Sequence, residues 1–144
     1  MKHFIVVAFL LISCKAFSQK AEIKKDKWHW NNSSRQDTVI GYTQVLKVDN
    51  VLYISGAVAN DISPEGITSV YNALKASLSS FGASFDNVVK ENLYTTDIET
   101  MKKYNYVRKG YYKEDFPAAT WVQVVRLFMP ESKLEVELIA HLPK

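Results

Sequence analysis

The spacing of hydrophobic residues along the chain has two periods, and each period predicts a different kind of element. Several short segments rich in β-branched and aromatic residues alternate apolar and polar positions, which is the pattern of strands with one buried face. The predicted strands cover residues 28–30, 42–48, 51–55, 88–96, 119–128 and 133–141. The pair Asp49-Asn50 separates the second strand from the third and tolerates positive φ, so these two strands are predicted to form a hairpin.

The first helix is marked at both ends. Ser63 is a suitable N-cap, Pro64 suits the first helical position, and Glu65 favours the positive end of the helix dipole. Gly82 is expected to end the helix. Apolar side chains recur at helical spacing between these ends and form one stripe: Ile67, Val70, Tyr71, Leu74, Leu78 and Phe81.

A second helix is predicted from the capping box formed by Thr96 and Glu99 to about Tyr112. Its inward stripe is expected to comprise Ile98, Met101, Tyr104, Val107 or the stem of Arg108, and Tyr111. The order of elements is therefore β, β-β, α, β, α, β-β, with no Gly-, Pro- or Ser-rich linker between them. This order predicts one α+β domain in which two helices pack on one face of a mixed β-sheet.

The N-terminus has the pattern of an export signal. Lys2 lies in a short basic start, and residues 4–12 form an unbroken apolar run of nine residues, which is too short to span a bilayer. We predict a signal peptide over residues 1–18, cleaved before Gln19, and therefore an exported protein that is periplasmic or secreted. A second interpretation is a lipoprotein signal that leaves a lipid on Cys14, and a third is a buried strand over residues 4–12.

Charge and composition argue against several classes of function. Residues 19–27 are Lys-rich and aperiodic, which predicts a flexible tether before a domain at 28–144. Lys2 and Lys15 lie in the leader, so the rest of the chain carries 16 basic against 15 acidic residues, and no nucleic-acid-binding surface is expected. The single cysteine also lies in the leader, which leaves no disulfide and no thiol nucleophile in the domain. No spacing of His, Cys or carboxylates suits a metal, and no Gly-rich phosphate loop is present, so no cofactor is predicted.

Six short motifs follow one another in the order found in a known family. They are Gly41-Tyr42-Thr43-Gln44, Leu52-Tyr53-Ile54-Ser55-Gly56, Val88-Val89-Lys90 with Thr96-Asp97, Asn105-x-x-Arg108-x-x-Tyr111, Phe116-Pro117-Ala118 and Glu135-Val136-Glu137-Leu138-Ile139-Ala140. Over about residues 28–141 the chain thereby resembles the RidA/YjgF family, whose domain is also described as endoribonuclease L-PSP-type and many of whose members hydrolyse reactive imines and enamines. The resemblance implies a chorismate-mutase-like, RidA-like fold and a homotrimer that binds small organic molecules in clefts between its subunits.

The resemblance also assigns positions to the cleft. Tyr42, Ser55, Asn105 and Glu135 fall on family positions that line it. In the role that the resemblance implies, Glu135 holds and partly deprotonates a water for attack on the C=N carbon, while Tyr42 shapes the pocket and donates a proton. Structural alternatives stay open for each residue: Glu135 as the polar face of a strand, Tyr42 as a packed aromatic, Asn105 as a loop cap and Ser55 as part of a tight turn.

One position departs from the family pattern. Where the family usually has an arginine that binds the substrate carboxylate, this chain has Ala119. A methyl group cannot replace the charge-assisted hydrogen bonds of a guanidinium, so deamination of imino acids is not expected. Alternation places Ala119 and Trp121 on one face of the strand, and Thr120 and Arg126 on the other. Ala119, Thr120 and Trp121 are candidate ligand-binding residues, and Trp121 is expected either to enter the cleft or to anchor a subunit interface.

Two classes of function stay open, and a third is less specific. The first, which Ala119 and Trp121 favour, is a binding or scavenging protein for a small organic molecule that has lost arginine-dependent deamination. The second is an imine or enamine hydrolase that acts, through Glu135 and Tyr42, on a substrate without the usual carboxylate. The third is an interaction protein that uses the trimer as a scaffold. The predicted partners are other copies of the chain and a small-molecule ligand, with the membrane added only if Cys14 is lipidated.

Overall fold

The computed structural model describes residues 22–31 and 34–143, so the predicted signal peptide, part of the tether and the lipid-anchor alternative lie outside the described residues. The described strands are β1 (Asp26–Trp28), β2 (Val45–Val48), β3 (Val51–Ala59), β4 (Val88–Thr95), β5 (Ala118–Gln123) and β6 (Leu134–His141). The described helices are α1 (Pro64–Ser79), α2 (Ile98–Lys103) and α3 (Asn105–Tyr112), with a short 3-10 turn at Phe85–Asn87. None of the helices described is long and apolar enough to cross a membrane.

The strands form one six-stranded mixed sheet in the order β1-β2-β3-β6-β4-β5. Neighbouring strands run antiparallel, except for the parallel pair β4–β5. Strand β5 lies at one edge of the sheet. Alternate side chains such as Leu52, Leu93 and Val136 are fully buried in one cluster with the apolar residues of the helices. The other face of the sheet, called the open face below, carries partly exposed residues such as Tyr53. The α+β architecture is therefore the predicted one.

Helix α1 begins as its sequence predicts. The Ser63 hydroxyl accepts a hydrogen bond from the N–H of Gly66 at 3.0 Å, and Pro64 occupies the first helical position. The predicted stripe is the buried face, because five of its six residues have no exposed surface: Ile67, Val70, Tyr71, Leu74 and Leu78. The helix ends at Ser79, and Gly82 lies just beyond it with φ at 72°.

The prediction of one helix opened by a Thr96–Glu99 capping box is wrong in two respects. The cap is Asp97, whose carboxylate accepts from both the N–H and the hydroxyl of Thr100, at 3.0 and 2.6 Å. An ionised acceptor with two donors in reach makes the better cap, so the helix starts one residue later than expected. Tyr104, with φ at −101° and ψ at 12°, then divides the segment into α2 and α3.

Two predicted strands end where their backbone partners end. The strand predicted to reach residue 128 stops at Gln123, because its parallel neighbour β4 stops at Thr95, whose carbonyl accepts a last hydrogen bond from the N–H of Val124 at 2.9 Å. Val125 is consequently in a loop and fully exposed. The first strand lies at Asp26–Trp28 rather than 28–30, because β2, the strand with which it pairs, begins at Val45.

A carboxylate is buried between the sheet and the helices. Glu91 on β4 is fully buried and accepts three hydrogen bonds: from Arg108 Nε at 2.7 Å, Tyr71 Oη at 2.9 Å and Tyr112 Oη at 2.6 Å. Burial, and after it the charge of Glu91, raises the pKa of both tyrosines, so both hydroxyls stay protonated as donors. These four residues are called the Glu91 cluster below. Only the stem of Arg108 was expected to face inward, but the guanidinium is also largely buried, because Glu91 balances its charge.

Candidate functional site

Three of the predicted site residues line one pocket. Tyr42, Ser55 and Glu135 surround a space of about 310 Å³ beside strands β3 and β6. Gly56 and Val58 of β3 complete the wall, and Phe128 is among the apolar residues at the rim. Glu135 lies between the buried residues Leu134 and Val136, so its side chain points to the open face. This space is called the carboxylate pocket below.

The shape of the pocket depends on Gly56. The pairing of β3 with β6 shifts register between Ile54 and Ala57, which brings the backbone of Gly56 against the side chain of Glu135. A Cβ atom at position 56 would overlap the Glu135 carboxylate. Glycine therefore allows the Glu135 carboxylate to lie against the backbone here, and the Ser55-Gly56 pair in the sequence is the local signal of that contact.

Glu135 is the unpaired carboxylate of the pocket. Its carboxylate is half-buried and receives no hydrogen bond from any residue in the described part of the chain. Burial, and to a lesser extent the charge of Glu137, raises the pKa of Glu135 above its ordinary value. A carboxylate with a raised pKa is a stronger base, which suits it to hold and partly deprotonate a water molecule.

Glu137 shows what a purely structural carboxylate looks like on the same strand. It lies two residues further along β6 and faces the same side of the sheet. Asn92 Nδ2 donates to it at 2.8 Å and the Tyr94 hydroxyl at 3.3 Å. The interpretation of a carboxylate as a strand's polar face therefore fits Glu137, and the unpaired Glu135 stands apart from it.

Tyr42 and Ser55 contribute different hydrogen-bonding groups to the carboxylate pocket. The Tyr42 ring packs edge-on against His29, with 4.9 Å between ring centres, and its hydroxyl has no protein partner among the described residues. Burial, followed by the charge of Asp37, raises the pKa of Tyr42, so it is a neutral donor at the pocket wall. The Ser55 hydroxyl donates to the carbonyl of Thr43 at 2.8 Å. Ser55 thus serves the local backbone and offers a ligand only its acceptor lone pairs.

The other predicted site residues lie elsewhere on the chain. Ala119 and Trp121 pair in register with Glu91 and Leu93, which are buried on the helix face of the sheet. Thr120 faces the opposite way and accepts a hydrogen bond from Lys90 Nζ at 2.8 Å. The alternation predicted for this segment is therefore correct as far as Gln123, and Arg126 lies beyond it in the loop.

Trp121 and Asn105 belong to the region between β5 and α3. The Trp121 ring is partly buried against the core, and the Arg108 guanidinium carbon lies 5.4 Å from its centre. The Asn105 Oδ1 atom is buried without a hydrogen-bond partner in the described part of the chain. Within one chain these residues do not line the carboxylate pocket, because Ala119 and Trp121 face the helices whereas Glu135 faces the open side.

Sequence reasoning missed one important residue, Glu91, although a signal for it was available. Glu91 occupies an inward position of an alternating strand, where a charge needs a buried partner.

Among residues 22–31 and 34–143, no group of His, Cys, Asp and Glu is arranged to hold a metal ion.

The fold is that of a class of small α+β proteins with a mixed sheet, known from several solved structures. The chain aligns with Rv2704 of Mycobacterium tuberculosis, a member of the YjgF/YER057c/UK114 family, at a TM-score of 0.73 and 19% identity, covering 83% of this chain and 100% of the other. YyfA of Yersinia pestis, from the Rid protein family, aligns at a TM-score of 0.72 and 25% identity with the same coverage. These structures establish the fold.

The sequence relationships establish the family. A family model named Endoribonuclease L-PSP matches residues 32–142. The human 2-iminobutanoate/2-iminopropanoate deaminase is 35% identical over 109 residues, which are 69% of this chain and 78% of that protein. A RutC family protein of Pyrococcus abyssi is 34% identical over 110 residues, covering 69% and 85% of the two chains. The chain belongs to the endoribonuclease L-PSP family, which is the RidA/YjgF family.

Proposed function

We propose that this chain binds a small organic molecule in a cleft between two subunits of a homotrimer. One side of the cleft is the carboxylate pocket, with Tyr42, Ser55 and Glu135. The other side is the β5 edge of a neighbouring copy, with Ala119 and Trp121. The observation that supports this assembly is the separation of the two groups on opposite faces of one sheet, because a single chain cannot bring them to one ligand.

Position 119 argues against the reaction named in the human relative. The family arginine would give the substrate carboxylate two charge-assisted hydrogen bonds, each contributing about 1.5–3 kcal/mol. Ala119 gives none, which corresponds to a loss of about two to four decades in the rate for an imino acid. We therefore expect deamination of 2-imino acids to be no faster than the uncatalysed reaction.

A second candidate function is hydrolysis of an imine or enamine that has no carboxylate. The unpaired, half-buried Glu135 favours it, because this residue is placed to act as a base. Glu135 would take a proton from water as the water oxygen bonds to the C=N carbon, and Tyr42 would donate a proton to the nitrogen. The protonated Glu135 then gives its proton to the nitrogen and the Tyr42 phenolate takes the hydroxyl proton as the C–N bond of the carbinolamine breaks, which releases an amine and a carbonyl compound and restores both residues.

The experiment compares charged and neutral imines on the purified protein. An amino-acid oxidase generates 2-iminobutanoate in the assay, and imines of simple ketones serve as neutral substrates. We expect no acceleration for 2-iminobutanoate; acceleration of a neutral imine that Glu135→Gln abolishes would support the hydrolase over the binding protein. Glu137→Gln is the matched control, since Glu137 lies on the same face but is held by Asn92 and Tyr94.

Clear hydrolysis of 2-iminobutanoate by the unmodified protein would show that the argument from Ala119 is wrong. If no imine is hydrolysed, binding is tested by NMR with the same variants. A ligand shift that Glu135→Gln weakens and Glu137→Gln does not would support the binding function. If Glu135→Gln and Glu137→Gln affect the ligand shift equally, the carboxylate pocket is not the binding site.

A further inference from the structure

Arg108 has hydrogen-bonding capacity that its structural role does not use. Its side chain is 7% exposed, and its Nε donates to Glu91 at 2.7 Å. Its two terminal nitrogens have no hydrogen-bond partner among the residues that the structure describes, yet neither is fully closed to solvent. A guanidinium has N–H groups on all three nitrogens, so Arg108 can bind a ligand oxygen without giving up its bond to Glu91.

The guanidinium lies beside the position that departs from the family pattern. Glu91, its partner, pairs in register with Ala119 across strands β4 and β5. The guanidinium carbon is 5.4 Å from the centre of the Trp121 ring and 5.8 Å from that of Phe116, which flank Ala119 along the chain. Ala119 is exposed on the edge strand β5, and we expect a long side chain at this position to cover the guanidinium.

Asn105 supplies an acceptor on the same face of helix α3. It lies three residues before Arg108, at a spacing that makes two helical residues neighbours, and long helical side chains point back toward the helix N-terminus. Its Oδ1 atom is buried and unpartnered within the described residues. An unpaired buried acceptor is unfavourable, and an N–H from a ligand would satisfy it.

The net charge of the Glu91–Arg108 pair decides which class of ligand can bind. Glu91 already neutralises Arg108, so the pair carries no net charge that would attract an anion. A carboxylate bound here would place a second negative charge close to Glu91, and the two would repel each other. A neutral carbonyl oxygen accepts hydrogen bonds from the terminal nitrogens of Arg108 without that repulsion.

We infer that Arg108, Asn105 and Trp121 form a subsite for a neutral planar group with a carbonyl oxygen next to an N–H, as in an amide or a lactam. Arg108 donates to the carbonyl oxygen, Asn105 accepts from the N–H, and the Trp121 ring flanks the plane. The inference rests on the proposed function, because it names the ligand class for the β5 side of the cleft. Such a subsite would let the cleft bind a ligand although Ala119 replaces the arginine that is usual in the family.

The test compares 2-pyrrolidinone, a neutral lactam, with butanoate, a carboxylate of similar size. Both are titrated into the purified protein and followed by NMR of the arginine and tryptophan side-chain N–H signals. So small a ligand is expected to bind in the millimolar range. We expect 2-pyrrolidinone to shift the signals of Arg108 and Trp121, and butanoate to bind at least about tenfold more weakly.

Variants that leave the Glu91 cluster intact localise the binding. Asn105→Leu removes the acceptor and replaces a poor helix former by a good one, so lactam binding should weaken at least about tenfold while thermal stability is kept or raised. A residue with only a structural role would lose stability instead. Ala119→Leu covers the guanidinium and should weaken lactam binding equally, whereas the control Tyr106→Leu, at an exposed position of the helix that carries Asn105, should not.

Three results would overturn the inference: no saturable shift with 2-pyrrolidinone, equal or tighter binding of butanoate, or lactam binding that survives both Asn105→Leu and Ala119→Leu. The proposed function fails in a different way. It fails if Glu135→Gln changes neither the binding nor the turnover of any ligand, whatever is seen at Arg108.

Discussion

Replacing Glu91 by glutamine probes the buried centre of the protein. Glu91 is fully buried and accepts hydrogen bonds from Arg108, Tyr71 and Tyr112 over distances of 2.6–2.9 Å. Glutamine has nearly the same shape but no charge, and its NH₂ group must face either the guanidinium or the hydroxyls that now donate to Glu91. The substitution therefore leaves Arg108 as a buried charge without its counter-ion.

The expected cost follows from that loss. Removing one partner of a buried ion pair costs about 3–5 kcal/mol, a large part of the roughly 5–15 kcal/mol that stabilises a typical domain. Replacing Arg108 as well, as in Glu91→Gln with Arg108→Met, leaves no buried charge and keeps an amide oxygen as acceptor for the Tyr71 and Tyr112 hydroxyls. We expect the double variant to recover most of the loss, with a coupling of about 2 kcal/mol between the two positions.

Urea unfolding followed by tryptophan fluorescence measures both effects. The protein concentration is held constant, because self-association would make the free energy of unfolding concentration-dependent. Glu137→Gln, which affects a carboxylate bonded to Asn92 and Tyr94 on the open face, is the control and should cost about 1 kcal/mol. The reasoning is refuted if Glu91→Gln costs less than that control, or if the double variant is as unstable as the single one.

Four further predictions concern the assembly, the pocket and the leader. Light scattering on residues 19–144 should give three times the chain mass, and a stable monomer would count against the proposed cleft. Gly56→Ala should displace the Glu135 carboxylate and weaken ligand binding with the fold retained by circular dichroism; unchanged binding would contradict the close contact. Because burial raises the pKa of Glu135 above 4.5, its ionised form opposes folding, so Glu135→Gln should be more stable than the parent at pH 7, with the difference vanishing below pH 4.5. Mass spectrometry of the native protein should find Gln19 as the first residue or a lipid on Cys14, and an intact Met1 would exclude both forms of the leader.

Local signals were sufficient for the β2–β3 hairpin and for helix α1. Asp49-Asn50 indicated a hairpin, and Asp49 does adopt a positive φ of 53° between β2 and β3. Ser63 and Pro64 indicated the start of α1, and the apolar spacing indicated its buried face. Such signals act within a few residues, so they do not depend on which strands lie beside each other.

The candidate pocket was only partly accessible from the sequence. The order of the family motifs singled out Tyr42, Ser55 and Glu135, and these three meet because β3 pairs with β6. Alternation showed that Glu135 and Glu137 share a face, but it could not tell a free carboxylate from a bonded one. The bonds from Asn92 and Tyr94 to Glu137 make that distinction, and they depend on the register between β4 and β6.

The sequence by itself determined the kinds of element, their order and the family, since periodicity, caps and short motifs are local properties. The tertiary structure alone decided that β5 ends at Gln123 and that Glu91 pairs with Arg108. It also decided that Ala119 and Glu135 lie on opposite faces of one sheet. The physical reason is that strand length, register and the neutralisation of a buried charge depend on partners that are distant along the chain, and these partners are set only when the whole core packs.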